Sequence, residues 1–361
     1  GEVLTPLDGD AVRAAARRWS AIVRNALAIS AASAFAALRP GPTLPPMPGP
    51  AALIDPDGLT LPWAGAAQPY GLVDLDRAPR SDAPLHLPPF PLLGIGDSTH
   101  PLALRLDALI ELPVSLAAIV QQIVAQPEAA RVLVQLLRLI DGLDAAQALV
   151  AESLAYGLLQ GSAGHARWLA AQMPAPMQSP GIIRVDRDGD RLSILIDRPG
   201  AHNAIDRDLR DGLRAAFDIA ALDPDISHVS LRGAGRSFCT GADLSEFGTT
   251  RDPATAHDIR MQTLPAHALL RCADRLTVHV QGGCVGSGLE MAAFAGHITA
   301  SADAWFHLPE LAMGIIPGAG GCVSLSRRIG RQRAALMILS GKRINARTAL
   351  GWGLVDVIMD D

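Results

Sequence analysis

The 361-residue chain reads as two unlike halves, an all-helical first half followed by an α/β layered domain. Three observations predict this. From residue 182 onward, short β-branched runs alternate with stretches of helical spacing, the order expected of strands and helices in layers. The first two runs flank Arg187-Asp188-Gly189-Asp190, a hairpin turn signature. Before them lies an alanine- and leucine-rich half that ends at residues 173–180, a stretch with three prolines that reads as an interdomain linker.

Composition narrows the function. Formal net charge is −5 with no basic block, which argues against a nucleic-acid partner. Aromatic residues are 4% and apolar residues 49%, the latter ordinary for a globular chain. No apolar run is long and uncharged enough to span a bilayer. The opening Gly-Glu-Val-Leu-Thr-Pro does not read as a signal peptide, so a cytoplasmic location is expected. Cys239, Cys272, Cys284 and Cys322 are far apart and follow no metal-ligand spacing. They read as free thiols in a reducing compartment, with reaction of a single sulfur as the other reading.

Taken in order, residues 10–38 are alanine-rich with Arg13, Arg17, Arg18 and Arg24 at helical spacing. Proline-rich loops follow at 40–50 and 84–91. Residues 102–125, 128–140 and 143–171 read as helices, with Pro113 breaking or kinking the first. His86, His100 and His165 are isolated. Glu152 and Tyr156 lie one helical turn apart, so they either face a pocket or are the surface and core residues of an amphipathic helix. In the second half, residues 182–185 and 192–196 form the hairpin. Residues 204–221 are helical, 228–231, 276–281 and 297–300 are strands, 334–339 is a helix and 354–358 a last strand.

Three motifs carry chemistry. Residues 235–244, Gly-Arg-Ser-Phe-Cys-Thr-Gly-Ala-Asp-Leu, follow a strand and can aim backbone N–H groups into a cleft. Asp243 there precedes a helix and reads as its cap. Residues 282–290, Gly-Gly-Cys-Val-Gly-Ser-Gly-Leu-Glu, stand at a strand-to-helix turn. Glycine permits sharp bends and close approach, and a helix start offers unpaired N–H groups. Such a turn holds a phosphate or the oxyanion of a polarised carbonyl, or is simply tight. The third is His307-Leu308-Pro309-Glu310-Leu311, followed by Gly314-Ile315-Ile316-Pro317-Gly318-Ala319-Gly320-Gly321. Two turns that each offer a donor make a two-pronged oxyanion hole. Glu290 reads either as a reactive carboxyl or as a first-turn residue that suits the helix dipole.

Together these motifs, with Arg198-Pro199, Asn203-Ala204 and Gly353-Leu354-Val355, resemble the crotonase (enoyl-CoA hydratase) superfamily over residues 181–361. The resemblance implies a ββα spiral that binds an acyl-CoA, here carrying an N-terminal helical domain. The domains would be 1–173 and 181–361. The thioester oxygen would be held by the N–H groups of Ala242 and Ser287, with Gly241 and Gly286 shaping the turns. The second of these positions is usually glycine in that superfamily. Glu290 and Glu310 match both acid positions of the hydratase branch. The long first half and residues 249–267 further resemble a cofactor-independent dioxygenase branch that acts on 3,5-dihydroxyphenylacetyl-CoA in glycopeptide-antibiotic biosynthesis. That implies dioxygen as co-substrate, no metal, no flavin, and release of CoA with an aryl glyoxylate. It implies that Arg260, or else Arg251, meets the phenolic hydroxyls, unless these are solvated loop charges. Val285, Ile315 and Ile316 would line a dry oxygen cavity. A homo-oligomer, trimer or hexamer, is expected. Hydration or isomerisation of an enoyl-CoA by Glu290 and Glu310 is the alternative, as is a non-catalytic scaffold for a protein partner.

Overall fold

The computed structural model describes residues 53–65, 68–81, 83–172 and 178–359. The chain divides into Gly1–Pro50 and Ala51–Asp361, and every described residue belongs to the second unit. The helix expected over residues 10–38, the connector at 40–50 and most of the linker at 173–180 lie outside the described residues.

Residues 53–172 are not all-helical. They contain a parallel three-stranded sheet, β1 (Gly71–Asp74), β2 (Leu92–Ile95) and β3 (Ala108–Leu109), ordered β1-β2-β3. Each strand has only two to four residues, and β1 and β2 are largely buried. Such runs are too short for a period of two to show against a proline-rich background. The helix expected from residue 102 starts only at Leu116. Ahead of it, Asp107 is buried and accepts from Leu92 N–H (2.8 Å), Arg138 Nε (2.8 Å) and Arg138 Nη2 (2.5 Å). Those bonds hold the backbone extended beside β2.

Four helices follow: α1 (Leu116–Ala125), α2 (Pro127–Ile140), α3 (Ala145–Gln160) and α4 (Ala163–Ala170). Ser115, Asp144 and Ser162 cap α1, α3 and α4 through side-chain oxygens that accept a third-residue N–H. The single helix expected over 143–171 is therefore two, parted at Gly161 and restarted by the Ser162 cap.

The remaining elements are β4 (Ile182–Asp188), β5 (Arg191–Asp197), α5 (Arg207–Leu222), β6 (His228–Gly233), α6 (Pro253–Thr263), α7 (Pro265–Leu269), β7 (Leu276–Val280), β8 (Gly283–Val285), α8 (Ser287–Ala292), β9 (His297–Ser301), β10 (Trp305–His307), α9 (Gly321–Ile329), α10 (Arg331–Ser340), β11 (Ile344–Asn345), α11 (Ala346–Trp352) and β12 (Val357–Met359). The expected hairpin is β4–β5, turned at Gly189 with φ +59°. A six-stranded sheet runs β12-β9-β7-β6-β5-β4, parallel except for the hairpin. A second sheet, β11-β10-β8, stands apart from it. Its strands have two or three residues each and escape periodicity analysis for the same reason as β1–β3.

The last strand begins three residues later than expected. Gly353 is left-handed, and Leu354 and Val355 N–H groups return to Ala349 O, so the chain is still leaving α11 there. One apolar core joins both parts of this unit. Leu133 and Leu137 of α2 share it with Phe217 of α5, Leu325 of α9 and Leu336 of α10. The region before residue 172 therefore packs on the second half.

Candidate active site

The turn after β6 is built by Asn203, a buried residue with φ +58°, a conformation asparagine tolerates better than most. Its Nδ2 donates to Ala234 O (2.8 Å), Ser237 O (2.9 Å) and Phe238 O (3.1 Å), while Oδ1 accepts from Arg198 N–H (2.9 Å). Arg198 is buried and pairs with Asp243 (2.7 Å) and Asp206 (3.4 Å). Asp243 also accepts from the backbone and hydroxyl of Ser245. Burial pushes its carboxyl up, but Ser245 and Arg198 outweigh that and hold it below the usual range. The capping role read from the sequence is the one Asp243 has.

This turn then lies alongside the second one. Cys239 N–H donates to Gly283 O (3.1 Å), and Val285 N–H to Cys239 O (2.9 Å). Gly241 and Gly286 have φ +97° and +48°. A Cβ on Gly286 would fall 3.5 Å from Gly241 Cα and 2.8 Å from Glu310 Oε1, so side chains are excluded where the turns meet. Ile205 N–H donates to Gly241 O (2.8 Å) and Ile205 O accepts from Asp243 N–H (2.8 Å). Ala242, between them, points its own N–H away from Ile205. Ser287 opens α8, so its N–H has no acceptor within the helix. Ala242 is exposed and Ser287 half-buried.

Three carboxyl groups lie deeper. Glu290, one turn into α8, is 3% exposed, and its Oε2 accepts from Ala319 N–H (2.6 Å) and Gly321 N–H (2.9 Å). Burial raises its carboxyl to about 7, against the opposing pull of those two donors. Glu310 arrives because β10 runs parallel to β8, pairing His307 with Val285. It is 8% exposed, and its Oε2 is buried without a hydrogen-bond partner, as is Ser287 Oγ. Burial, and then Glu290, push its carboxyl well up.

The third is Glu152 of α3. It is 1% exposed and accepts from Gly320 N–H (2.7 Å), Cys322 N–H (2.8 Å) and Val323 N–H (3.3 Å). Burial, and then Glu290, push its carboxyl well above the ordinary range. The sequence left Glu152 open between a pocket and a helix surface. The structure puts it at the start of α9, beside Glu290. Its one-turn spacing to Tyr156 was the only signal, and a helix of such even hydrophobicity gives no clear inward face.

Tyr156 lies against the same loop, since a Cβ on Gly318 would fall 2.2 Å from Tyr156 Cδ2. Arg260 of α6 stacks on the Tyr156 ring at 4.6 Å. Its Nε and Nη2 donate to Ser153 Oγ (2.9 Å) and Ser153 O (3.0 Å), and Nη1 donates to Gln160 Oε1 (3.1 Å). Arg260 is thus tied to the carboxylate cluster through α3. Arg251 is exposed in the loop before α6 and is not brought into that group. Ile315 and Ile316 are fully buried and Val285 nearly so. Chemically, the arrangement sets two small-residue turns side by side, next to buried carboxyl groups that hold their protons more tightly than usual.

Residues 191–361 match a sequence profile described as enoyl-CoA hydratase/isomerase. A 2,3-dehydroadipyl-CoA hydratase of Escherichia coli is 37% identical over 179 residues, covering 49% of this chain and 69% of the relative. A mevalonyl-coenzyme A hydratase of Beauveria bassiana is 35% identical over 178 residues, covering 47% of this chain and 64% of the relative. A crystal structure of an enoyl-CoA hydratase from Thermoplasma volcanium is 34% identical, covering 50% of this chain and 72% of that chain, with a TM-score of 0.45.

Proposed function

This chain belongs to the enoyl-CoA hydratase/isomerase family of the crotonase superfamily, and from that premise we propose that it generates the enolate of an acyl-CoA thioester at Ala242 and Ser287. The negative charge that develops on the thioester oxygen would be met by their two N–H groups. Donors aimed at a developing oxyanion are typically worth about 3–4 kcal/mol each.

The finer reading is that the acyl group is a hydroxylated arylacetyl group and that dioxygen is the second substrate. The observation that carries it is the wall contributed by α3 and α6. Glu152 and Tyr156 stand outside the residues matched by the family profile, Arg260 stacks on Tyr156 from within them, and together they add hydrogen-bonding groups and an aromatic ring to the carboxyl cluster. Phenolic hydroxyls on a ring suit such a wall. The aryl ring spreads the enolate charge, and the carbanion transfers an electron to dioxygen. The carbon–oxygen bond forms, and the peroxide then attacks the thioester carbonyl. That attack breaks the C–S bond and CoA leaves as its thiol, taking up a proton; loss of the remaining α-hydrogen as a proton then forms the ketone as the O–O bond breaks, and the other oxygen becomes a carboxylate oxygen of an aryl glyoxylate. Atoms and electrons balance without an external reductant. Buried Val285, Ile315 and Ile316 suit a dry oxygen path.

A second reading is hydration of an enoyl-CoA. The names of the relatives favour it, and so do Glu290 and Glu310, because hydration needs two carboxyl groups around one water. One experiment separates the readings. The protein is mixed, in the presence of a chelator, with 3,5-dihydroxyphenylacetyl-CoA under labelled dioxygen, and separately with crotonyl-CoA without oxygen. Uptake of oxygen, label in the acid product and release of free CoA support oxygenation. Fast anaerobic hydration of crotonyl-CoA with no oxygen uptake on the aryl substrate overturns it.

A further inference from the structure

The N–H groups of five consecutive residues, 319–323, are divided between two carboxylates. Ala319 and Gly321 donate to Glu290 Oε2, at 2.6 and 2.9 Å. Gly320, Cys322 and Val323 donate to Glu152, at 2.7, 2.8 and 3.3 Å. The two glutamates come from helices that are 138 positions apart in sequence, 290 − 152, yet both close the start of α9. Both are almost fully buried. Two carboxylates set on one short turn, away from water, repel each other strongly when both are ionised. A single proton between them removes that repulsion, and such a pair titrates as a unit.

We propose that Glu152 is a positioning residue for Glu290: it fixes the turn at residues 319–323 on which Glu290 rests, and the two carboxyl groups hold one proton between them. The inference rests on the reading of Glu290 as a reactive carboxyl that takes up or gives a proton to the acyl group. Glu152 itself need not touch substrate. It acts by fixing the five N–H groups in register and by denying Glu290 a free choice of charge. Other groups that interact with the pair are Glu310, Cys239, Cys322 and Tyr156, and the guanidinium of Arg260 acts on Glu152. Burial raises both carboxyl groups, and the charge of Glu290 raises Glu152 further. Arg260 pulls the opposite way and is itself partly desolvated.

The test uses the full chain and exchange of the α-hydrogens of 3,5-dihydroxyphenylacetyl-CoA in deuterated buffer without oxygen, followed across pH. Glu152→Gln keeps the shape and one acceptor but removes the like charge. Its exchange profile should move to lower pH by about one unit, roughly a tenfold change in rate on the flank, with KM nearly unchanged. Glu290→Gln should abolish that limb of the profile, and adding Glu152→Gln to it should move nothing further. A Glu152→Gln protein that folds and loses rate equally at every pH has lost a structural contact only, and the inference is overturned. Should Glu290→Gln exchange like the parent, the reading of Glu290 fails as well, and the two failures are thereby told apart. Where Glu152→Gln does not fold, the unaltered protein decides. With its glutamates carbon-13 labelled, the carboxylic-acid infrared band should be lost on raising pH in two separated steps, and one step would overturn the shared proton.

Discussion

Replacing Ser287 by proline isolates one oxyanion donor. Ser287 is the first residue of α8, and its N–H has no acceptor within the helix. Proline is well accommodated at that position because the missing N–H is one the helix never uses. The preceding Gly286 has no Cβ to clash with the ring and already holds a turn conformation, φ +48° and ψ −126°. The substitution should therefore cost little stability, on the order of 1 kcal/mol or less. The reaction should lose far more. Removing one oxyanion-hole donor typically costs ~10²–10³-fold in rate, about 2.7–4 kcal/mol of barrier. Ser287→Ala is the companion, because it keeps the N–H and removes only the hydroxyl, whose Oγ has no partner. The measurement is α-hydrogen exchange in the arylacetyl-CoA followed by mass spectrometry, with thermal melting of each variant. Ser287→Pro should melt near the parent and exchange at a hundredth of its rate or less, with Ser287→Ala far closer to the parent. A folded Ser287→Pro protein exchanging within a few-fold of the parent refutes the oxyanion assignment.

Other outcomes follow from the same geometry. Burial raises Glu290 from 4.5 to about 7, so the folded state binds a proton more tightly than the unfolded state; stability contributed by this group is full below pH 4.5 and declines as pH rises to 7, and thermal melting across that window should show Glu290→Gln gaining on the parent as pH rises. Arg198→Met should destabilise the fold by roughly 3–5 kcal/mol, read by urea unfolding, because it leaves Asp206 and Asp243 buried without their cation. Gly318→Ala should lower turnover more than stability, read as kcat against melting temperature, since its Cβ drives the Tyr156 ring and α3 away from the loop that carries the carboxyl contacts. Gly233→Ala should instead prevent folding, read by loss of soluble protein, as its Cβ would fall 2.1 Å from the backbone oxygen of Phe238.

The parts legible in the sequence were those with long or chemically loud signals. The hairpin showed through its Asp-Gly turn, α5 through its apolar stripe, and the two glycine turns through residues whose positive φ excludes most side chains. Glu290 and Glu310 entered through the resemblance to the two acid positions of the hydratase branch, and the structure buries both. Strands of two to four residues were not reachable, because so short a run carries no period. Glu152 was half legible. Its partners are backbone N–H groups 168 to 171 positions away, and side-chain identity says nothing of which backbone a carboxylate will find.

That long-range grip bears on where the polypeptide can be cut. A fragment beginning at Gly181 would keep every residue the family profile matches, and the six-stranded sheet with them. It would also uncover the apolar surface that α2 shares with α9 and α10, and strip Gly320, Cys322 and Val323 of their acceptor. The turn at residues 319–323 would then lose one of the two carboxylates that hold it. Transplanting the second half alone onto another scaffold, or expressing it for screening, should therefore yield a protein with a recognisable sheet and an unsettled reaction centre. The portable module runs from the sheet β1–β3 onward.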